Sequence, residues 1–251
     1  MSRKSSRKNP SQTPSPPPPA PAPAPRPSAP AAEPISRRNV FIVAVVGLLL
    51  AFVAATLFYR SQQAQSSQLA AAKNQPALAS AQSPSFGKPG AQVHIVEFFD
   101  PACETCALFF PHVKQLMSAN PDRIRLSLRH VPFHPGSDQV VRILEAARNQ
   151  DKYLPVLEAL YAAQDRWVVK HVVQQDRVWA SLGGVGLDLE RLRKDMNAPE
   201  LAQRMAQDMA DARVLGVTKT PEFFVNGRPM PRFGLDEFRN LVSEELRRAT
   251  P

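Results

Sequence analysis

An α/β domain, a small sheet interrupted by a helical insertion and preceded by a disordered head and one transmembrane helix, is what this 251-residue sequence predicts. Three observations carry it. The first 39 residues are rich in proline, twenty uncharged residues follow directly, and the remainder runs strand, helix, strand, several helices, strand, hairpin, helix.

Residues 1–39 hold 12 of the 26 prolines, and such a segment buries too little apolar area to offset the entropy of ordering it. It also holds seven Lys/Arg against Glu33 alone, so it carries +6 of the formal +9 and leaves the rest of the chain nearly neutral. The basic charge therefore belongs to a tail and not to a folded surface. With no DNA- or RNA-binding motif present, no nucleic-acid partner is expected.

Residues 40–59, from Val40 to Tyr59, form an uncharged run of twenty, which at about 1.5 Å per residue spans the roughly 30 Å hydrocarbon core of a bilayer. A buried core helix would carry a polar face, and a cleaved signal peptide would have a shorter apolar region nearer the N-terminus, so an uncleaved anchor is the preferred reading. Arg37 and Arg38 and the basic head place the N-terminus in the cytoplasm and everything after Arg60 outside it. Residues 60–85, rich in Gln, Ala and Ser, read as a flexible tether, and a single folded domain occupies residues 86–251.

Within that domain, Val93–Phe99 reads as a buried strand, and Asp100-Pro101-Ala102 breaks it before a helix that opens at the cysteines. Ile124, Leu126 and Leu128 alternate with arginines, the period of a half-buried strand whose wet face carries Arg123, Arg125 and Arg129. From Ser137 to about Leu215 the spacing of Val140, Val141 and Leu144, of Leu154, Leu157, Leu160 and Tyr161, and of Leu201, Met205 and Met209 is helical, with Trp167 and Trp179 in the core of the insertion. Phe223–Val225 is a short strand, Asn226-Gly227 a hairpin turn, and Leu235–Arg248 a closing helix.

Cys103 and Cys106 are the only cysteines, with two residues between them. That count excludes a disulfide-rich scaffold, and with no second such pair and no matching histidine spacing, no metal site is expected. His130 and His134 flank a turn and read as solvated or packed side chains, not ligands. At a strand-to-helix junction the first sulfur meets the positive end of the helix, which lowers its pKa, and a second thiol one turn on can resolve a mixed disulfide. A purely structural bridge would close so short a loop that it removes little entropy from the unfolded chain.

Glu97-Phe98-Phe99-Asp100-Pro101-Ala102-Cys103-Glu104-Thr105-Cys106, with Pro111 beyond it and Gly216 to Gly227 containing Thr220-Pro221, resembles the DsbA-like thiol:disulfide oxidoreductases of the thioredoxin superfamily. Gln150 to Tyr153 and Gln164 to Trp167 resemble that family's helical insertion. The resemblance implies a thioredoxin fold with a helical insertion over roughly residues 86–248. It implies a Cys103 nucleophile and a resolving Cys106. Pro221 would be cis and face the cysteines, where by the residues alone it could be an ordinary turn proline. The Thr220 backbone would pair with an extended substrate, beside Glu104 and Thr105. Glu97 would lie beneath Cys106 and shuttle its proton, where by the residues alone it could point to solvent at a strand end. Strongly oxidising members carry a histidine between the cysteines. Glu104 and Thr105 stand there instead, so Cys103 is expected to be less acidic than in those members.

The expected function is thus a membrane-tethered thiol:disulfide oxidoreductase, needing no cofactor, acting as a monomer on cysteine-containing exported proteins and on a membrane or periplasmic redox partner. Its catalytic domain would face the periplasm or an equivalent space, where disulfides persist. A reductase or isomerase, and a non-redox binding or chaperone module, are the alternatives.

Overall fold

The computed structural model describes residues 37–248. By its contacts the chain divides into a unit ending at Ala54 and a second that starts at Ala55. The described part of the first is the N-terminal portion of helix α1 (Arg37–Leu78). Phe41–Tyr59 is long and apolar enough to cross a membrane, and none of it is buried.

The second unit begins with a correction. Residues 60–78, expected to be a flexible tether, continue α1. Gln, Ala, Leu and Lys are good helix formers as well as common linker residues, so composition alone does not separate the two. Packing decides it: Ala77 and Leu78 are buried, and Asn74 Nδ2 donates to the Gly227 carbonyl at 3.2 Å. Gly227 has φ +81°, and a Cβ there would lie 2.9 Å from the Ala71 carbonyl oxygen, so a glycine is needed both for the turn and for the helix to approach it.

A five-stranded sheet has the order β1 (Ser85–Phe86), β3 (Ile124–His130), β2 (Val93–Phe99), β6 (Glu222–Val225), β7 (Arg228–Pro229). The pair β2–β3 is parallel, from Val93 opposite Ile124 to Phe99 opposite His130. The pairs β1–β3, β2–β6 and β6–β7 are antiparallel, with Glu97 opposite Phe223. The expected strands and Asn-Gly hairpin are thus in place, with the short edge strand β1 added. Because β2 is central and covered on both faces, it reads as a nearly continuous apolar run. Val93, Ile95 and Phe99 join the larger core, with α2 (Glu104–Ala119) and α9 (Leu235–Arg248), while Val96 and Phe98 join a smaller one with Phe224, Leu78 and Ala212. Side chains alternate along a strand, so Glu97 shares the α2 face with Ile95 and Phe99.

The insertion comprises α3 (Ser137–Arg148), α4 (Tyr153–Ala162), α5 (Gln164–Trp167), α6 (Gln175–Ser181) and α7 (Leu189–Asp195), and α8 (Pro199–Val214) returns to the sheet. It is helical as expected, except for a small hairpin, β4 (Val168–Val169) and β5 (Val172–Val173). Trp167 is wholly buried and its indole N–H donates to the Leu160 carbonyl at 2.7 Å. Trp179, expected in the core, is half-buried beneath the Arg193 guanidinium, and Met205 and Met209 are half-buried on α8.

Arg129 is the second correction. It lies on no wet face but is fully buried, because α8 and the end of α1 cover that side of β3. Its guanidinium pairs with Asp208 at 2.5 Å and with Asp211, donates to the Ala77 carbonyl at 3.0 Å, and stacks over Phe98. Pairing of this kind offsets the desolvation of the three charges. Burial works to raise the pKa of Asp208, but hydrogen bonding to His130 and the charges of His130 and Arg129 outweigh it and hold the carboxyl below its usual range.

Candidate active site

The site is built where β2 ends. The Asp100 carboxylate accepts from the Ala102 N–H at 2.8 Å and the Asp100 carbonyl accepts from the Cys103 N–H at 3.0 Å, which folds the turn back towards α2. Cys103 is then the N-cap of this 16-residue helix, with extended backbone (φ −79°, ψ 118°), and its sulfur accepts from the Cys106 N–H at 3.4 Å. A sulfur there meets the unpaired N–H groups and the positive end of the helix. Buried Gln164 ties the turn to the insertion through the carbonyls of Pro101 (3.0 Å) and Cys103 (3.1 Å).

From across the sheet comes the segment before β6. The Thr220–Pro221 peptide is cis, and the Cys103 thiol lies 3.4 Å from the Thr220 carbonyl oxygen, to which it can donate. Both cysteines are free thiols, Cys103 only 6% exposed and Cys106 not at all.

The three titratable groups differ by environment. Hydrogen bonding from the Cys106 side chain, opposed by burial but reinforced by the Thr220 side chain and the backbone N–H groups of Cys106 and Thr105, pulls the Cys103 thiol down to about 6. Burial, then the hydrogen bond to Cys103 and the charges of Cys103 and Glu97, push Cys106 well above an ordinary thiol. Burial first, and the Cys103 charge second, push Glu97 up to about 8, and its Oε2 has no hydrogen-bond partner among the described residues. At neutral pH the arrangement is a thiolate, a thiol and a mostly protonated carboxylic acid within one electrostatic unit. That is the charge state thiol–disulfide exchange requires of an attacking and a resolving sulfur.

Of the residues singled out from the sequence, Cys103, Cys106, Glu97, Thr105 and the Thr220-Pro221 segment converge, whereas Glu104 points to the exposed rim. Asp100, Gln164 and His134 were missed as site builders. Asp100-Pro101 carries a local turn signal that could have found Asp100. Gln164 and His134 arrive from distant elements and leave no mark near the cysteines. His134 is anchored by Asp100, and among the described residues Glu104, His134 and His171 form the one group with metal-ligand chemistry, their ligating atoms within 4.8 Å of one another.

A parallel strand pair flanked by an antiparallel strand, with a dithiol capping the following helix and a cis-proline facing it, is a thioredoxin-type arrangement with the groups thiol–disulfide exchange chemistry needs. The chain belongs to the thioredoxin family, whose model matches residues 79–244. It is similar to the crystal structure of a thioredoxin-like oxidoreductase from Silicibacter pomeroyi, with 34% identity, 67% of this chain and 94% of that one covered, and a TM-score of 0.59. A probable disulfide bond formation protein D from Bacillus anthracis is 25% identical over 65% of this chain and 78% of its own length. The Na(+)/H(+) antiporter NhaA of Herminiimonas arsenicoxydans is 32% identical over 57% of this chain, which spans only 22% of that longer protein.

The rate of Cys103 alkylation by iodoacetamide should rise with pH through a midpoint near 6. A midpoint near that of an ordinary thiol would show that the helix terminus and Thr220 do not hold the sulfur as described.

Proposed function

We propose that this chain is a membrane-tethered thiol:disulfide oxidoreductase that exchanges disulfides with cysteine-containing exported proteins, as a monomer, and with a membrane or periplasmic dithiol partner. The observation that carries it is the Cys103 sulfur capping the N-terminus of α2, 3.4 Å from the Thr220 carbonyl oxygen before the cis-proline. The Cys103 thiolate attacks a sulfur of the substrate disulfide. That S–S bond breaks, a mixed disulfide forms and the second substrate sulfur leaves as a thiolate. An extended substrate strand pairs with the backbone of Thr220 beside Pro221, with Glu104 and Thr105 bordering it.

The attack also changes Glu97. Once the Cys103 charge is consumed, one of the two causes that hold the carboxyl up to about 8 is gone, so Glu97 gives up its own proton to the departing substrate thiolate or to solvent, and the resulting carboxylate takes the Cys106 proton. The Cys106 thiolate then attacks the Cys103 sulfur, the mixed S–S bond breaks, the substrate sulfur that was bound to Cys103 leaves as a thiolate, and the Cys103–Cys106 disulfide closes. Run in reverse, the same steps oxidise a substrate dithiol.

Tethering is supported by the apolar span Phe41–Tyr59, and the arginines before it support a cytoplasmic N-terminus and an extracytoplasmic domain. Confinement at a membrane raises the effective concentration of the domain for any partner held there.

Cys106→Ala in the full chain should accumulate mixed disulfides that release on reduction, and the partners recovered give the direction of electron flow. Absence of any adduct through Cys103, or full biological activity of Cys103→Ser, would leave only a non-redox binding role. Glu97→Gln should leave the first attack intact and slow resolution by roughly 100-fold, the low end of what positioned proton transfer contributes, in single-turnover traces. A topology reporter fused at Gln62 should read extracytoplasmic, and a cytoplasmic signal would overturn the orientation.

A further inference from the structure

Beside the dithiol, three side chains from three separate segments converge: Glu104 in the first turn of α2, His134 in the loop after β3, and His171 at the tip of the β4–β5 hairpin. We propose that Glu104, His134 and His171 form a binding site for a divalent transition-metal ion of the zinc class.

The donor set is two imidazoles and one carboxylate, a combination that zinc accepts as three protein ligands with one position left open. Imidazole selects transition metals over calcium or magnesium, and one carboxylate is far short of the six to eight oxygens calcium takes. Geometry agrees with chemistry. His171 Nδ1 lies 3.3 Å from Glu104 Oε1. Two ligands of a tetrahedral ion with bonds of about 2.0–2.1 Å are themselves about 3.3 Å apart. The two imidazole rings are 6.0 Å apart between centroids.

His134 is prepared for the role. Its Nδ1 donates to the fully buried Asp100 carboxylate at 2.7 Å, and the same oxygen accepts from the His134 backbone N–H at 2.8 Å and from the Ser137 hydroxyl at 3.1 Å. This is the outer-shell carboxylate that orients a ligating histidine and commits its other ring nitrogen to the metal. His171 is prepared differently. Lys170 and His171 have φ of +50° and +62°, so the two-residue turn that joins β4 to β5 holds a bulky pair in the conformation that Asn-Gly usually fills. The hairpin thereby sets an exposed imidazole against an exposed carboxylate, and both side chains are free to close the remaining gap around an ion.

Such an ion would link the turn that carries Cys103 to the insertion from outside, as Gln164 does from inside. The proposal is independent of the exchange reaction and is tested without it. The full chain carrying Cys103→Ser and Cys106→Ser, without a polyhistidine tag, is purified in detergent and titrated calorimetrically with zinc chloride. One ion per chain is expected, with no matching response to calcium chloride. Adding His171→Ala or Glu104→Gln, both at exposed positions where folding is not at stake, should each weaken binding by roughly 10-fold or more. Failure to bind zinc, a smaller loss in either variant, or equal affinity for calcium overturns the site.

Discussion

Everything at the candidate site depends on a sulfur occupying the place of a helix cap. Ser, Thr, Asp and Asn fill that position in most helices because their oxygens accept the unpaired N–H groups of the first turn. Cys103 supplies a larger, softer acceptor, and the free energy of capping is thereby directed into ionising a thiol. The turn before it exists to put the sulfur there, which is why Asp100 and Gln164, neither of them reactive, are buried against the backbone around the two cysteines.

The same cap sets the other two groups. Cys106 lies on the inner face of the first turn and loses solvent entirely, so its proton is held. Glu97 faces the same core from β2, and burial keeps it protonated near neutrality. Their effects on folding have opposite signs. Cys103, depressed in the folded dithiol form, stabilises that form above the ordinary thiol range and loses the contribution as pH falls through about 6. Glu97, raised, leaves stability complete at acid pH, and the contribution is lost as pH rises through about 8.

What was legible in the sequence was whatever is encoded locally. The dithiol, the buried strand before it, the Thr-Pro pair and the Asn-Gly turn each carry their signal within a few residues. What was not legible depended on partners far along the chain. Arg129 alternates with leucines as a surface arginine does, and only Asp208 and Asp211 on α8, some eighty residues away, make it a core residue. Residues 60–78 have a composition shared by linkers and helices, and the packing of Ala71 and Asn74 on Gly227 settles the matter from the far end of the domain. The β4–β5 hairpin is short and lies in a helical stretch, so its valines read as helix.

In the exchange proposed above, the mutual dependence of Glu97 and Cys103 ties electrons to a proton. Reduction creates a charge on Cys103 that draws a proton onto the carboxyl beneath it, and oxidation lets that proton go. In that reading the centre is a redox Bohr group, and the acidity of its surroundings becomes one of the terms that decide which way disulfides flow.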